Sequence, residues 1–214
     1  MGKLIVIEAL DAGGSQTQTD ALVKKLKKNK YKPLQLHFPQ EDRATGRLIY
    51  DKFLLSQNKL KFSRREQALL YIQDFLSRAE DLAAIKSQSA KHIAVSDRYA
   101  SSTMAYQTIG LSGARRRQLI NQISWLCFQG TPSLPKPDLT IFLDTPVEIS
   151  LKHLSRKKKD FFETKAKLTA IRNSYLKLAQ EQKWAIINSV NDRGEQRTIQ
   201  DIHSEVWEIV QSVL

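Results

Sequence analysis

Five short, largely apolar runs, separated by stretches of helical period, constrain this chain more than any other feature: residues 4–8, 34–38, 92–96, 139–143 and 184–188. Runs of this length, rich in Leu, Ile, Val and Phe, read as strands buried on both faces. Strands that alternate with helices are joined by crossovers, which bring neighbouring strands in parallel and lay helices over both faces of the sheet. The expected fold is therefore α/β, with a five-stranded, mainly parallel sheet between two helical layers. At 214 residues the chain suits a single domain, 1–214, that buries a substantial core. It has no glycine- or serine-rich linker, no internal repeat and no apolar run near the roughly 18 residues of a membrane helix, and the first residues lead straight into a strand without a leader-like segment.

In an open α/β sheet ligands collect at the carboxyl ends of the strands, and two of these runs end in suggestive chemistry. Leu4, Ile5, Val6 and Ile7 continue through Glu8 into Ala9, Leu10, Asp11, Ala12, Gly13, Gly14, Ser15, Gln16, Thr17 and Gln18. Strand, small-residue loop and helix in that order form the layout of a P-loop, whose backbone N–H groups and helix N-terminus cradle phosphates. The side chains depart from G-x-x-x-x-G-K-S/T: Ala9 stands at the first glycine, Gly14 at the second, Ser15 at the lysine and Gln16 at the hydroxyl residue. The third run leads into Asp97 and Arg98. A guanidinium there can grip phosphate oxygens two at a time, with the neighbouring carboxylate orienting it. Taken alone, the dipeptide reads first as a structural ion pair capping a strand.

Together these stretches resemble the thymidylate kinase family of P-loop nucleoside monophosphate kinases. Glu8, Asp11, Gly14, Thr17 and Gln18 stay in register with the family loop E-G-x-D-G-x-G-K-x-T-Q. Phe38, Pro39 and Gly46 are similar to its F-P-x-R-x-T-x-x-G segment, and Leu69, Leu70 and Tyr71 to its thymine-stacking helix. Asp97, Arg98 and Tyr99 match D-R-Y; Ala105, Tyr106 and Gln107 match A-Y-Q; Lys136, Pro137, Asp138 and Leu139 match K-P-D-L. Asp160, Phe161, Phe162 and Glu163 resemble the D-R-F-E of a lid placed at about 155–165.

The resemblance implies a P-loop NTPase-like three-layer α/β/α fold and transfer of the γ-phosphoryl group of ATP to dTMP, with Mg²⁺ accompanying ATP. On that basis Asp11, Ala12, Gly13, Gly14, Ser15, Gln16 and Thr17 are expected around the ATP phosphates, and Thr17 and Asp97 near the metal. Asp97, Arg98 and Arg156 are the expected catalytic groups. The dTMP site is expected to draw on Asp11, Phe38, Arg43, Tyr71, Phe75, Arg78, Arg98, Tyr106 and Gln107. Tyr71, Phe75 and Arg78 are spaced i, i+4 and i+7 on a helix opened by the capping-box pair Ser63 and Glu66, which places them on one face. Core packing is the competing reading for the two aromatics. A homodimer in the cytoplasm is the family's expectation.

Several cations of the family pattern are missing together. Ser15 replaces the loop lysine, Glu41 stands where an arginine follows Phe-Pro-x, Phe75 stands where a base-reading arginine follows the stacking aromatic, and Phe161 replaces the lid arginine. Arg43, Arg78 and Arg156 are the nearest substitutes. The chain is thus either a working kinase with migrated cations or a paralogue that keeps the fold after losing efficient turnover. A deoxynucleoside kinase is less well matched, because that class carries Glu-Arg-Ser where this chain has Asp97, Arg98 and Tyr99.

The net charge of +12 raises nucleic-acid binding as a rival. Its lysines crowd the end of the first helix, where they suit the helix dipole, and no aromatic-rich basic groove accompanies them, so nucleic acid is not the expected partner. The single cysteine, Cys127, sits in an apolar helical pattern; it excludes an internal disulfide and fits a reducing compartment.

Overall fold

The computed structural model describes residues 1–130, 132–154 and 162–214. All five expected strands are present: β1 (Lys3–Ala9), β2 (Lys32–His37), β3 (His92–Asp97), β4 (Leu139–Asp144) and β5 (Ala185–Asn188). They form one sheet in the order β2-β3-β1-β4-β5, and every pairing is parallel. Alternate side chains of β1 point to opposite faces, and both faces are apolar. Leu4 and Val6 join one core cluster and Ile5 and Ile7 the other, all fully buried.

The helices of the described residues explain that double burial. On one face α1 (Ser15–Lys28) and α9 (Ile199–Gln211) contribute Leu22, Leu26, Val206 and Val210. The opposite face is covered by α3 (Arg64–Leu76), α5 (Ala100–Gln107), α6 (Gly113–Phe128) and α8 (Lys165–Gln182), through residues such as Ile72, Ala105, Ile123 and Tyr175. The remaining elements are α2 (Ala44–Leu48), continued by a π-helical segment Ile49–Leu54, then α4 (Ala79–Ser87) and α7 (Val147–Leu154). The Ser63/Glu66 capping box is formed and opens α3 as its spacing predicts. Cys127 is free and fully buried in α6. No helix among the described residues is long and apolar enough to cross a membrane.

Chain order reverses about β1. The connection from β1 runs to β2 across β3, whereas β4 and β5 lie on the other side. Such a switch point leaves a crevice at the carboxyl ends of the central strands. The loops after Ala9 and Asp97 open there, beside the end of β2. Two structural details hold the rim. Gly46 packs so closely on the loop before it that a Cβ would lie 1.9 Å from the Gln40 carbonyl oxygen, so no side chain fits. Gln40 in turn donates its N–H to Asp74 Oδ2 (3.0 Å), while Thr45 Oγ1 donates to Asp74 Oδ1 (2.6 Å), which ties residues 40–45 to α3.

Candidate active site

A cleft of about 440 Å³ fills the crevice. Its floor is the loop after β1. Gly14 precedes α1 with φ 98°, a left-handed conformation that glycine adopts freely, and Ala12 takes φ 55°, which does not suit a Cβ. The loop carbonyls are held from behind. Ser150 Oγ donates to the Asp11 carbonyl, Thr145 Oγ1 donates to that of Gly13 (3.0 Å), and His153 Nδ1 lies 3.1 Å from that of Ala12. Asp11, Ala12, Gly14, Ser15, Gln16 and Thr17 line the cleft, whereas Gly13 packs against Leu10 and Ala9 behind them. The N-terminus of a fourteen-residue helix therefore faces the cavity, as an anion site requires.

Arg98 enters from the end of β3 with φ 67°, its N–H bonded to the Ile7 carbonyl (3.0 Å) and its own carbonyl accepting from Ser96 Oγ (2.7 Å). These bonds fix a conformation rare for a side-chain-bearing residue and direct the guanidinium to the cleft. There Arg98 Nη2 meets Asp11 Oδ1 at 2.5 Å and Nη1 donates to Tyr106 Oη at 3.0 Å. Burial opposes the positive charge, but Tyr106 and Asp11, together with Tyr175 and Asp97, outweigh it and hold the guanidinium above its ordinary range. Beneath lies Glu8, fully buried. Its carboxylate accepts from the Tyr99 N–H (3.0 Å), Ser101 Oγ (2.5 Å), Ser102 Oγ (2.5 Å) and Tyr175 Oη (2.9 Å). Burial pushes this carboxyl above its ordinary range, against those side-chain hydrogen bonds and the Arg98 charge.

Asp97 is also buried. Its Oδ2 is 2.8 Å from His37 Nδ1, and its Oδ1 has no hydrogen-bond partner among the described residues. His37 ends β2 and its other ring nitrogen is 3.5 Å from Tyr50 Oη. Burial, followed by the nearby Glu41 charge, pushes the Tyr50 hydroxyl up to about 12. The far wall is aromatic: Phe38, Tyr71, Phe75, Tyr106 and Phe162 line it, with Phe38 edge-on to Phe75 at 4.9 Å. Thr103 joins that wall, 2% exposed, and its Oγ1 has no partner among the described residues.

Besides Gly13, three expected contributors do not line the cleft. Arg43 caps α2 and is exposed, and Glu41, exposed as well, borders the cleft in its place. Arg78 misses the Tyr71 face because α3 ends at Leu76. The chain then breaks to start α4, where Arg78 Nε pairs with Asp81 at 3.1 Å. Gln107 is 2% exposed at the end of α5, where its carbonyl accepts from Arg64 Nη1 (2.5 Å). Arg156, Asp160 and Phe161 lie outside the described residues, as does most of the expected lid; Phe162 and Glu163, just beyond, border the cleft. Conversely, His37, Tyr50, Ser102 and Thr103 line the cleft although no motif marked them as site residues. His37 was detectable in principle, since it precedes Phe38 at a strand end. Tyr50 was not, because a π-helical turn sets its direction.

The family-level comparisons agree with this geometry. The thymidylate kinase family model matches residues 7–202. A thymidylate kinase of Plasmodium falciparum is 30% identical over 96% of this chain and 88% of its own length, and a probable thymidylate kinase of Thermococcus onnurineus is 33% identical over 98% of each. The solved thymidylate kinase of Candida albicans superposes with a TM-score of 0.75 at 25% identity, covering 99% of this chain and 92% of that one. A loop and helix N-terminus, an arginine at the end of the neighbouring strand and an aromatic wall thus meet in one cleft, on the fold and over the sequence span of its relatives: the chain belongs to the thymidylate kinase family.

Proposed function

We propose that the protein transfers the γ-phosphoryl group of ATP to dTMP, yielding dTDP. The observation that carries this reading is the single cleft in which the phosphate-cradling loop, Arg98 and the Tyr71/Phe75 wall face one another. Phosphoryl transfer asks the protein mainly for positioning and charge stabilisation, and each part supplies some of that. The ATP phosphates lie over residues 11–17, against the α1 N-terminus. Arg98 grips the acceptor phosphate; Tyr71 and Phe75 take the base; Tyr106 lines the sugar side. Asp11 Oδ2, buried and unpartnered among the described residues, accepts from the sugar 3′-hydroxyl.

The donor set fits a magnesium ion carried on ATP. Among the described residues no cluster of three or more His, Cys, Asp or Glu could hold a metal, but Mg²⁺ typically uses one or two carboxylates and completes its shell with water and phosphate. Asp97, with one buried carboxylate oxygen free of partners, and Thr17 would hold it, and the ion would neutralise charge on the β- and γ-oxygens.

Ser15 at the lysine position supports a second reading, a nucleotide-binding protein with impaired turnover. A coupled assay offering dTMP and thymidine side by side, with calorimetry for dTMP and ATP separately, decides. The proposal expects slow, measurable phosphorylation of dTMP and none of thymidine. Phosphorylation of thymidine alone would assign the deoxynucleoside kinase class, and dTMP binding without turnover would leave the impaired reading.

We also propose a cytoplasmic homodimer, on the family's habit of pairing through packed helices. An apolar groove between α3 and α6 is the surface we assign: Leu69 and Trp125 are 52% and 56% exposed on its rim, large apolar areas to leave in water. Trp125→Glu is expected to give a monomer by light scattering at micromolar concentration, with unchanged circular dichroism. Persistence of the dimer in that variant would move the interface elsewhere, and a monomeric parent would end the dimer proposal.

A further inference from the structure

Arg98 is not a waiting cation. Its Nη2 pairs with Asp11 Oδ1 at 2.5 Å, its Nη1 donates to Tyr106 Oη at 3.0 Å, and Tyr106 Oη donates to the same Oδ1 at 2.9 Å, closing a three-membered ring. Both ionic partners are largely shielded, with side chains 16% and 18% exposed, so the attraction is screened less than at an open surface. Asp11 belongs to the phosphate loop and Arg98 to the acceptor side, and both line the cleft. An arriving phosphate therefore meets a guanidinium that a carboxylate has already neutralised.

We propose that Asp11 is an internal competitor for Arg98 and so sets a charge threshold for the acceptor. The inference rests on the acceptor-phosphate role assigned to Arg98 above. A carboxylate carries one negative charge, whereas a phosphate monoester at neutral pH carries about 1.5 to 2, with three strong acceptor oxygens. A monophosphate can thus take over the guanidinium from Asp11, and a neutral nucleoside cannot. The exchange also has a consequence for the loop. Once the ring opens, Asp11 is released from the β3 side, so acceptor binding changes what holds residues 11–17 before the donor arrives. Tyr106 assists in either state, because its hydroxyl touches both members of the pair.

A bland alternative assigns Asp11 the opposite effect: it orients Arg98 and thereby aids phosphate binding. Asp11→Asn separates the two, since asparagine retains an oxygen to accept from Arg98 and Tyr106 but removes the charge. The experiment is titration calorimetry of dTMP and of thymidine, without ATP or metal, on the parent and on Asp11→Asn, with circular dichroism as the folding control. The competitor role expects the preference for dTMP over thymidine to rise roughly 5- to 30-fold in Asp11→Asn, between the scale of an exposed and of a desolvated charge pair; thymidine, which carries the same 3′-hydroxyl, reports what the substitution costs at the sugar. Asp11→Ser removes the charge with a smaller side chain and must shift that preference in the same direction. An equal or smaller preference for dTMP over thymidine in the variants, with dTMP still preferred by the parent, would overturn the competitor role and leave the acceptor site standing. A parent that binds dTMP no better than thymidine would remove the role of Arg98, and the competitor with it.

Discussion

Arg98→Ala is expected to weaken dTMP binding by about 1.5–3 kcal/mol, the range for charge-assisted hydrogen bonds, while thymidine binding hardly changes. The structure argues for the upper part of that range. Removing the guanidinium takes away the phosphate's cation and also leaves Asp11 facing the cleft with only the Tyr106 hydroxyl on its Oδ1. The backbone contributes little to the difference, because alanine and arginine meet the same penalty at φ 67°. Glu8 supplies a second consequence. Arg98 is one of the groups that hold down the pKa of this buried carboxyl, so its loss moves Glu8 further toward the protonated form and loosens the serine and tyrosine contacts beneath the site. Thermal melts must therefore accompany the calorimetry. Arg98→Lys keeps the charge and loses the fork, and should recover stability before it recovers affinity. Equal losses for dTMP and thymidine would show a structural arginine and remove the acceptor site from this strand end.

The sheet was legible in the sequence because a strand buried on both faces leaves an apolar run that tertiary context cannot disguise, as at residues 4–7 and 139–143. The cleft's two anchors were legible for a related reason: the loop that ends in Gly14 follows β1 and Arg98 follows β3, and a strand end is visible as a change in composition. What failed was extrapolation of a helix face. Arg78 is one turn beyond Phe75 only if α3 continues, and the break after Leu76, which tertiary packing decides, carries it away to Asp81. Arg43 stands exposed at the start of α2, in a segment that a contact remote in sequence, the Gln40 and Asp74 latch, ties to α3, and no local pattern encodes that contact. Glu8 matched its family position, yet its standing as a buried acceptor of four hydrogen bonds emerges only when β1, α5 and α8 meet. His37 and Asp97 illustrate the same point, since their pairing depends on the β2/β3 register that sets them side by side.

Ser15→Lys should raise dTMP turnover by about one to three orders of magnitude, the scale on which a preorganised charge-stabilising donor at an anionic centre acts. The need for a cation is plain from the cleft. Among its described lining residues Asp11, Glu41, Asp97 and Glu163 bring four carboxyl groups, and Arg98 is the lone lysine or arginine. Ser15 is the first residue of α1, 7% exposed and on the lining, so a lysine there has its stem rooted at the helix N-terminus and its ammonium within the space the phosphates occupy. The loop backbone sets how much of the gain appears. Ala12 holds φ 55°, which costs a non-glycine residue about 1–2 kcal/mol, so Ala12→Gly should ease the loop and enlarge the effect of the lysine. Ala9 differs, although the family pattern places glycine there too. It is a fully buried strand residue without a positive φ, and Ala9→Gly deletes a packed methyl group for no conformational relief. The double variant Ser15→Lys, Ala12→Gly is therefore expected to outperform both the single lysine and the triple that adds Ala9→Gly. Steady-state kinetics on these proteins, with ATP calorimetry on the parent, provide the check, and the parent should bind ATP weakly. Tight ATP binding and rapid turnover by the unmodified chain would refute the expectation and shift the missing charge to Arg156 and the lysines beside it in sequence.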